Sequence, residues 1–241
     1  MHMADALLTP AVAGVMYAAS AVVAGASIVE LHKEEKQDLT SAAKKLPTMA
    51  VMSALVFAGQ MINYTIPGTG SSGHLCGGLL LTSVLGPWAG FLSMIVILTI
   101  QCLFFADGGL MALGANVWNM AFYGCFVGYF LIYRPLMRSR CFARRGERAA
   151  NRLKITLASV FGCVLTLQLG AFSVVLETTL SGITDLPFGA FCAIMQPIHL
   201  AIGLIEGLIT AAVLLFFYEA RPELLRDVRT CCETTGKVSI K

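Results

Sequence analysis

Residues 75–106 are LCGGLLLTSVLGPWAGFLSMIVILTIQCLFFA, a run of apolar and small residues without one charged side chain. A helix rises about 1.5 Å per residue, so about 20 residues cross the hydrocarbon layer of a membrane, and this run is too long for one crossing. Gly86-Pro87 interrupts it, because a proline removes a backbone donor and suits the first turn of a new helix. We therefore predict two consecutive membrane helices, a short one over 75–86 and a longer one over 87–106.

Further apolar runs of spanning length occur outside this stretch, at residues 10–31, 46–64, 109–133, 154–180 and 190–218. Hydrophobic residues make up 57% of the 241 and charged residues only 13%, whereas about a quarter of the residues in a soluble domain are charged. No stretch has the composition of a separate soluble domain. We predict an all-α integral membrane protein, a single transmembrane domain over residues 1–241 that forms a bundle of about seven helices, one of them short.

The positive charges indicate the orientation of this bundle. All 17 Lys and Arg residues fall in three segments, 33–45, 134–154 and the tail after Tyr218. Such segments stay on the cytoplasmic side of a membrane, and seven crossings put all three on one side. The N-terminus is then outside and the C-terminus cytoplasmic. This count requires residues 75–86 to cross, although a helix of that length rises only about 18 Å, so its flanks must extend it or its neighbours must bury it.

His2 is one of only four histidines, and its position next to the chain terminus is chemically special. With a free amine on Met1, the first two residues offer three nitrogens: the amine, the Met1–His2 amide nitrogen once deprotonated, and the imidazole. Amine and amide close a five-membered chelate ring, and amide and imidazole Nδ1 close a six-membered one. Because the peptide is planar, these nitrogens lie nearly in one plane and leave one place in it open. Four nitrogens in a plane suit Ni(II) and Cu(II), can hold Co(II), and disfavour tetrahedral Zn(II).

His74 is the residue that we expect to fill the open place, since the predicted topology puts it outside, like Met1 and His2. It follows Gly68-Thr-Gly-Ser-Ser-Gly73, a loop without bulky side chains that another segment can approach closely. The glycine spacing matches only the first half of a phosphate-binding loop, because His74 and Leu75 replace the Lys and Ser/Thr that such a loop requires. The sequence therefore predicts a metal site here and no ATPase site.

Four stretches of the chain resemble the CbiM/NikM family, the substrate-binding membrane subunits (S components) of energy-coupling factor (ECF) transporters for cobalt and nickel. They are Met1-His-Met-Ala-Asp-Ala-Leu-Leu8, Asn63-Tyr-Thr-Ile-Pro-Gly-Thr-Gly-Ser-Ser-Gly-His74, Phe105-Ala-Asp-Gly-Gly-Leu-Met-Ala-Leu-Gly-Ala-Asn116 and Glu206-Gly-Leu-Ile-Thr210. The resemblance covers nearly the whole chain. The opening departs from the commoner family opening Met-His-Ile-Met-Glu-Gly, which keeps the ligands but leaves the choice between cobalt and nickel open.

This resemblance implies that the Met1 amine, the His2 amide and imidazole, and the His74 imidazole bind Ni(II) or Co(II) as a transported substrate, with no organic cofactor. It implies a multi-pass protein in the plasma membrane of a prokaryote, a transporter subunit rather than an enzyme. The expected partners are the lipid bilayer, a transmembrane coupling subunit, cytoplasmic ATPase subunits and a small accessory membrane subunit, but no nucleic acid. Imported cobalt could feed cobalamin biosynthesis.

Polar residues within apolar runs are costly and usually have a reason. Those expected near the outer end either fix the histidine rings or join helices by hydrogen bonds; they are Asp5, Gln60, Asn63, Asp107, Asn116 and Asn119. His199 and Glu206 share one face of the last helix, and we expect them to lie too deep for an outer site. We interpret them as a structural polar stripe or as a release path for the ion.

A stripe of small residues, Ala50, Ala54 and Ala58, allows close helix contact, either with the coupling subunit or inside this bundle. Two other functions could use the same histidines. One is a membrane metalloenzyme, for which Asp5 is the one candidate general base that the sequence offers. The other is a metal channel that works without ATPases.

Overall fold

The computed structural model describes residues 2–37, 39–139 and 147–227. Within these ranges the chain forms seven helices and one antiparallel hairpin, besides single 3-10 turns. The elements are α1 Pro10–Gln37, α2 Leu39–Gln60, β1 Asn63–Ile66, β2 Ser71–His74, α3 Gly78–Leu85, α4 Pro87–Phe105, α5 Leu113–Arg138, α6 Glu147–Ser181 and α7 Phe188–Ala220. The middle of α5, Val117–Tyr133, has π-helical hydrogen bonding, and its two ends are α-helical.

Five helices of the described part are long and apolar enough to cross a membrane: α1, α4, α5, α6 and α7. The prediction of a multi-pass membrane protein is therefore confirmed. The other two are α2, which carries two lysines and Pro47 in its first half, and α3, whose eight residues rise about 12 Å. The count of seven crossings and the orientation of the termini remain predictions.

The helices extend beyond the predicted apolar runs wherever charged residues follow. The first continues to Gln37 instead of residue 31, the fifth to Arg138 instead of 133, and the sixth begins at Glu147 instead of 154. Lys, Arg and Glu are good helix formers, so a helix does not end where the hydrocarbon ends. Apolar runs therefore locate the cores of the helices and underestimate their lengths.

The short helix α3 lies inside the bundle. This agrees with the expectation that neighbours bury a helix too short to span the membrane. All eight of its residues are buried. Gly86 turns the chain between α3 and α4 with φ 88° and ψ 163°, a conformation that favours glycine. The two helices then pack closely, since a Cβ on Gly90 would lie 2.8 Å from Thr82 Cγ2. Burial by neighbours thus stabilises a helix that is too short to span alone.

The segment between α2 and α3 is a β-hairpin, which the sequence did not predict; the second helix ends at Gln60 instead of 64. Asn63 pairs with His74, and Ile66 pairs with Ser71. The N-terminal segment then lies along β2, where Met3 bridges Ser71. The close approach expected at this glycine-rich loop is confirmed.

Charged side chains gather at the end of the bundle away from this hairpin. Glu34, about 36 Å along α1 from its first residue, forms ion pairs with Lys45 and Arg226 at 2.9 Å each. Arg148 of α6 forms an ion pair with Glu219 of α7. The described residues of the basic segments that form these ion pairs therefore share one end of the molecule.

Candidate metal site

The start of the chain is extended and lies beside β2, joined to it by one β-bridge between Met3 and Ser71. The Ser72 N–H donates to the His2 carbonyl oxygen at 3.2 Å, and the Gly109 N–H donates to the Met3 carbonyl oxygen at 2.8 Å. His2 is 4% exposed and Met3 is fully buried. Met1, which carries the predicted amine ligand, lies outside the described residues.

Three of the predicted supporting residues hold this segment in place. Asn116, in the first turn of α5, accepts a hydrogen bond from the Met3 N–H at 2.8 Å and donates one to the Met3 carbonyl oxygen at 3.3 Å. Asp5 accepts one from the Ala112 N–H at 3.0 Å. Asn119 lies 3.8 Å from the Met3 sulfur. These side chains hold the extended segment that carries His2 in place. The imidazole ring of His2 contacts other residues.

The imidazole rings of His2 and His74 are stacked, with centroids 4.6 Å apart and planes inclined by 27°. His2 Nε2 lies 3.8 Å from Asp107 Oδ2, and Asn63 donates to the same oxygen at 2.6 Å. Gly108 packs directly against the ring, since a Cβ there would lie 2.9 Å from His2 Nδ1. Two imidazoles side by side are suited to adjacent positions around one ion.

The ring nitrogens of this pair are available to a ligand. His74 Nδ1 lies 2.7 Å from the Leu75 carbonyl oxygen. A carbonyl only accepts, so Nδ1 carries the proton and Nε2 the lone pair. Within the described ranges, His74 Nε2 and both ring nitrogens of His2 have no hydrogen-bond partner. A buried polar atom without a partner is costly, and a bound ion would supply the missing interaction.

Burial keeps both imidazoles neutral at physiological pH. It lowers the pKa of His2 to about 3 and holds the pKa of His74 well below its ordinary value. Burial also raises the pKa of Asp107, although the hydrogen bond from Asn63 opposes that rise. Because neutral imidazole is the form that binds metals, the two rings are ready to bind an ion without first losing a proton.

A cleft of about 290 Å³ lies over the N-terminal segment, and His2, Ser71 and Gly108 are among its lining residues. The carboxylates of Asp5 and Asp107 border the same cleft. Negative groups beside such an opening attract cations. The cleft thus brings two carboxylates and the segment that carries His2 to one opening.

The chain immediately after His74 is held from two sides. The Gln60 side-chain amide donates to the Cys76 carbonyl oxygen at 2.5 Å. Glu206 of α7 accepts hydrogen bonds from the Cys76 N–H at 2.5 Å and from the Gly77 N–H at 2.9 Å. Glu206 therefore contacts the main chain two residues after His74, closer to the proposed site than expected, because β2 and α3 carry His74 into the interior of the bundle.

His199 is fully buried on α7, two helical turns from Glu206 on the same face. Its Nδ1 lies 2.8 Å from the Met195 carbonyl oxygen, and its Nε2 has no hydrogen-bond partner in the part of the chain that the structure describes. The structure does not bring His199 into the stacked pair, and a role in ion release stays a prediction.

The predicted small-residue stripe of α2 lies on the surface of the molecule. Ala50, Ala54 and Ala58 are all exposed, whereas Met52 and Val56 of the same helix are buried. Within the part of the chain that the structure describes, nothing covers this stripe, and a role in contact with another subunit stays a prediction.

Two buried polar residues near the site were not predicted. Gln101 of α4 is fully buried beside the His2 ring, and neither atom of its side-chain amide has a partner among the described residues. Glu177 of α6 accepts a hydrogen bond from Asn119 at 2.8 Å. Each stands alone in an apolar run, and that isolation is the signal that could have identified them.

Comparison with known proteins places this chain in a family. Residues 2–224 match the family CbiM, described as the cobalt uptake substrate-specific transmembrane region. The putative fused nickel transport protein NikMN of Archaeoglobus fulgidus is 41% identical over 228 residues, 94% of this chain and 68% of that protein. The cobalt transport protein CbiM of Sorangium cellulosum is 32% identical over 181 residues, 74% of this chain and 76% of that protein. The crystal structure of a truncated transition metal transporter matches with a TM-score of 0.74 at 31% identity, covering 91% of this chain and 99% of the other. The resemblance noted in the sequence is confirmed, and the chain belongs to the CbiM family.

Proposed function

We propose that this chain is the substrate-binding subunit of an ATP-driven, ECF-type uptake transporter for Co(II) or Ni(II). The ion binds in a plane of four nitrogens: the Met1 amine, the His2 amide and imidazole, and the His74 imidazole. The stacked, buried and neutral pair of His2 and His74 is the observation that carries this proposal. Membership of the CbiM family and relatives named for nickel and cobalt transport support the class of ion.

The main chain supplies the remaining ligands. Among the described residues, no group of three or more His, Cys, Asp or Glu side chains could hold a metal ion. Two imidazoles alone leave a planar site incomplete, and the first amide and the terminal amine lie at fixed covalent distances from His2. Deprotonated amide nitrogen is a strong donor to Ni(II), and a planar peptide favours planar coordination.

Partner subunits supply the movement in this proposal. The chain captures the ion, a transmembrane coupling subunit holds the chain, and cytoplasmic ATPases drive transport. The exposed stripe of Ala50, Ala54 and Ala58 supports such a contact, because small side chains let two helices approach closely in lipid. Where the ion is cobalt, cobalamin biosynthesis is a use for it inside the cell.

The metalloenzyme alternative needs a general base at the metal, and Asp5 was its candidate. The Asp5 carboxylate instead accepts a hydrogen bond from the Ala112 N–H, and this contact ties it to the segment before α5. We therefore prefer transport to catalysis.

Uptake of radioactive nickel or cobalt by cells tests the proposal. Cells should accumulate the ion only when the chain is produced together with coupling and ATPase subunits, and His74→Ala should lower the accumulation. Equal accumulation by cells that contain the chain alone would favour a channel and overturn the proposal.

A further inference from the structure

The peptide group between Leu75 and Cys76 is hydrogen-bonded on both of its sides. Its carbonyl oxygen lies 2.7 Å from His74 Nδ1. Its N–H donates to Glu206 Oε2 at 2.5 Å. An unbroken line of hydrogen bonds therefore runs from the Glu206 carboxyl group, through one peptide, to the imidazole of a proposed metal ligand.

Glu206 accepts two hydrogen bonds from the main chain. Each of its two oxygens accepts from a main-chain N–H, that of Cys76 on one side and that of Gly77 on the other, at 2.5 and 2.9 Å. The site is also the start of α3, whose N-cap residue Gly77 has no side chain to cap the helix. Glu206 therefore caps α3 from a different helix.

The neighbours of this peptide keep it aligned. Gln60 donates to the Cys76 carbonyl oxygen at 2.5 Å, so the main chain after His74 is held between α2 and α7. Glu206 and Gln60 are 3% and 1% exposed. In such a dry environment hydrogen bonds are strong, and bonds in series polarise one another.

We propose that Glu206 is a positioning residue for the metal site. Acting through the Leu75–Cys76 peptide, it holds the His74 ring in the tautomer with the proton on Nδ1 and strengthens Nε2 as a donor to the ion. Metal-binding imidazoles commonly donate their second N–H to a carboxylate or a carbonyl, which fixes the ring and raises its basicity. Here a carbonyl and a carboxylate act in series. The inference rests on the proposed function, since it needs His74 to be a ligand.

This role differs from that of a release path. A release path leaves the affinity for the ion unchanged when Glu206 is altered and slows only uptake. A positioning residue changes the affinity itself and the ligand field of the bound ion, and it does so only while His74 is present.

The test compares Ni(II) affinity and the visible absorption of bound Ni(II) in the purified full chain and its variants. Glu206→Gln keeps the shape but replaces one accepting oxygen by a donating amide. We expect its affinity to fall about ten- to a hundredfold and its absorption band to shift. Glu206→Asp should restore part of the affinity. Thr210→Val is the matched control, since Thr210 is a buried polar residue one turn further along the same face of α7, and it should keep the wild-type affinity and spectrum.

A double-mutant comparison distinguishes an effect of Glu206 that acts through His74 from general damage to the fold. In a His74→Ala background the ring at the end of the line is gone, so Glu206→Gln should have little further effect. Two outcomes overturn the positioning role of Glu206 but leave the proposed function standing. One is an equal loss of Ni(II) affinity in the wild-type and His74→Ala backgrounds, and the other is wild-type affinity and spectrum in Glu206→Gln. A wild-type chain that binds neither Ni(II) nor Co(II) overturns the proposed function and the positioning role with it.

Discussion

Asn116 makes two hydrogen bonds to the main chain of Met3, one from the Met3 N–H at 2.8 Å and one to the Met3 carbonyl oxygen at 3.3 Å. The side-chain amide of Asn116 thus bonds both main-chain groups of Met3, as a neighbouring β-strand would. It holds the N-terminal segment at the depth where the ring of His2 stacks on that of His74. The proposed site is a chain terminus that side chains hold in place, so its affinity should depend on these anchors as well as on the ligands.

Replacing Asn116 by Ala should weaken Ni(II) binding about tenfold. The change leaves the buried Met3 N–H without its partner, at a cost of about 1–3 kcal/mol, and loosens the extended segment that carries His2. Titration of the purified variant with Ni(II) measures the effect. Asn151→Ala is the control, because Asn151 bonds Tyr218 at 3.4 Å near the charged end. Equal affinities in the two variants would contradict the anchoring role.

Gly108→Ala should also weaken binding, by displacing the His2 ring. Gly108 has φ +88°, and a Cβ there would lie 2.9 Å from His2 Nδ1 and 2.8 Å from Asn116 Nδ2. Gly182→Ala is the matched control, since Gly182 has φ +64° and nothing within 4 Å of an added Cβ. Both variants should lose about 1–2 kcal/mol of stability from the left-handed backbone, measured by thermal unfolding, but only Gly108→Ala should lose metal affinity. If both variants bind Ni(II) like the wild type, the close packing on His2 has no functional role.

The metal-free protein should lose stability as the pH falls below about 6.5, the ordinary pKa of imidazole. Burial lowers the pKa of His2 to about 3. Between these two values the unfolded chain binds a proton that the folded chain does not, so stability falls with falling pH, by roughly 1 kcal/mol per pH unit for such a group. Thermal unfolding over this range should show a shallower dependence for His2→Gln than for the wild type. His32→Gln, which changes an exposed imidazole, should keep the wild-type slope. Identical slopes in all three proteins would mean that His2 is not buried as the structure has it.

The helices and the ligand candidates could be predicted because each follows from local chemistry. A long apolar run needs lipid or a core around it, and a histidine at position 2 brings its own amine and amide. The β-hairpin could not be predicted, since Ser71, Ser72 and Gly73 carry no strand signal. Ser71 also forms a bridge with Met3, a contact between segments that are distant in sequence.

The link between Glu206 and His74 was missed for a different reason. Depth measured along α7 alone, from the membrane surface inward, places Glu206 far from a site at that surface. Instead, α3 begins inside the bundle, with Gly78 packed against Gly124 of α5, and this places the main chain after His74 beside α7. Only the packing of several helices reveals that contact.

The most direct test of the central claim is the affinity of the purified chain for Ni(II), Co(II), Cu(II) and Zn(II), with the Met1 amine either free or acetylated. The free form should bind Ni(II) and Cu(II) more tightly than Zn(II), because a plane of four nitrogens disfavours tetrahedral coordination. Acetylation should abolish tight binding although every side chain remains, and His74→Ala should reduce it less, since it removes one ligand of four. Unchanged affinity after acetylation would contradict the account.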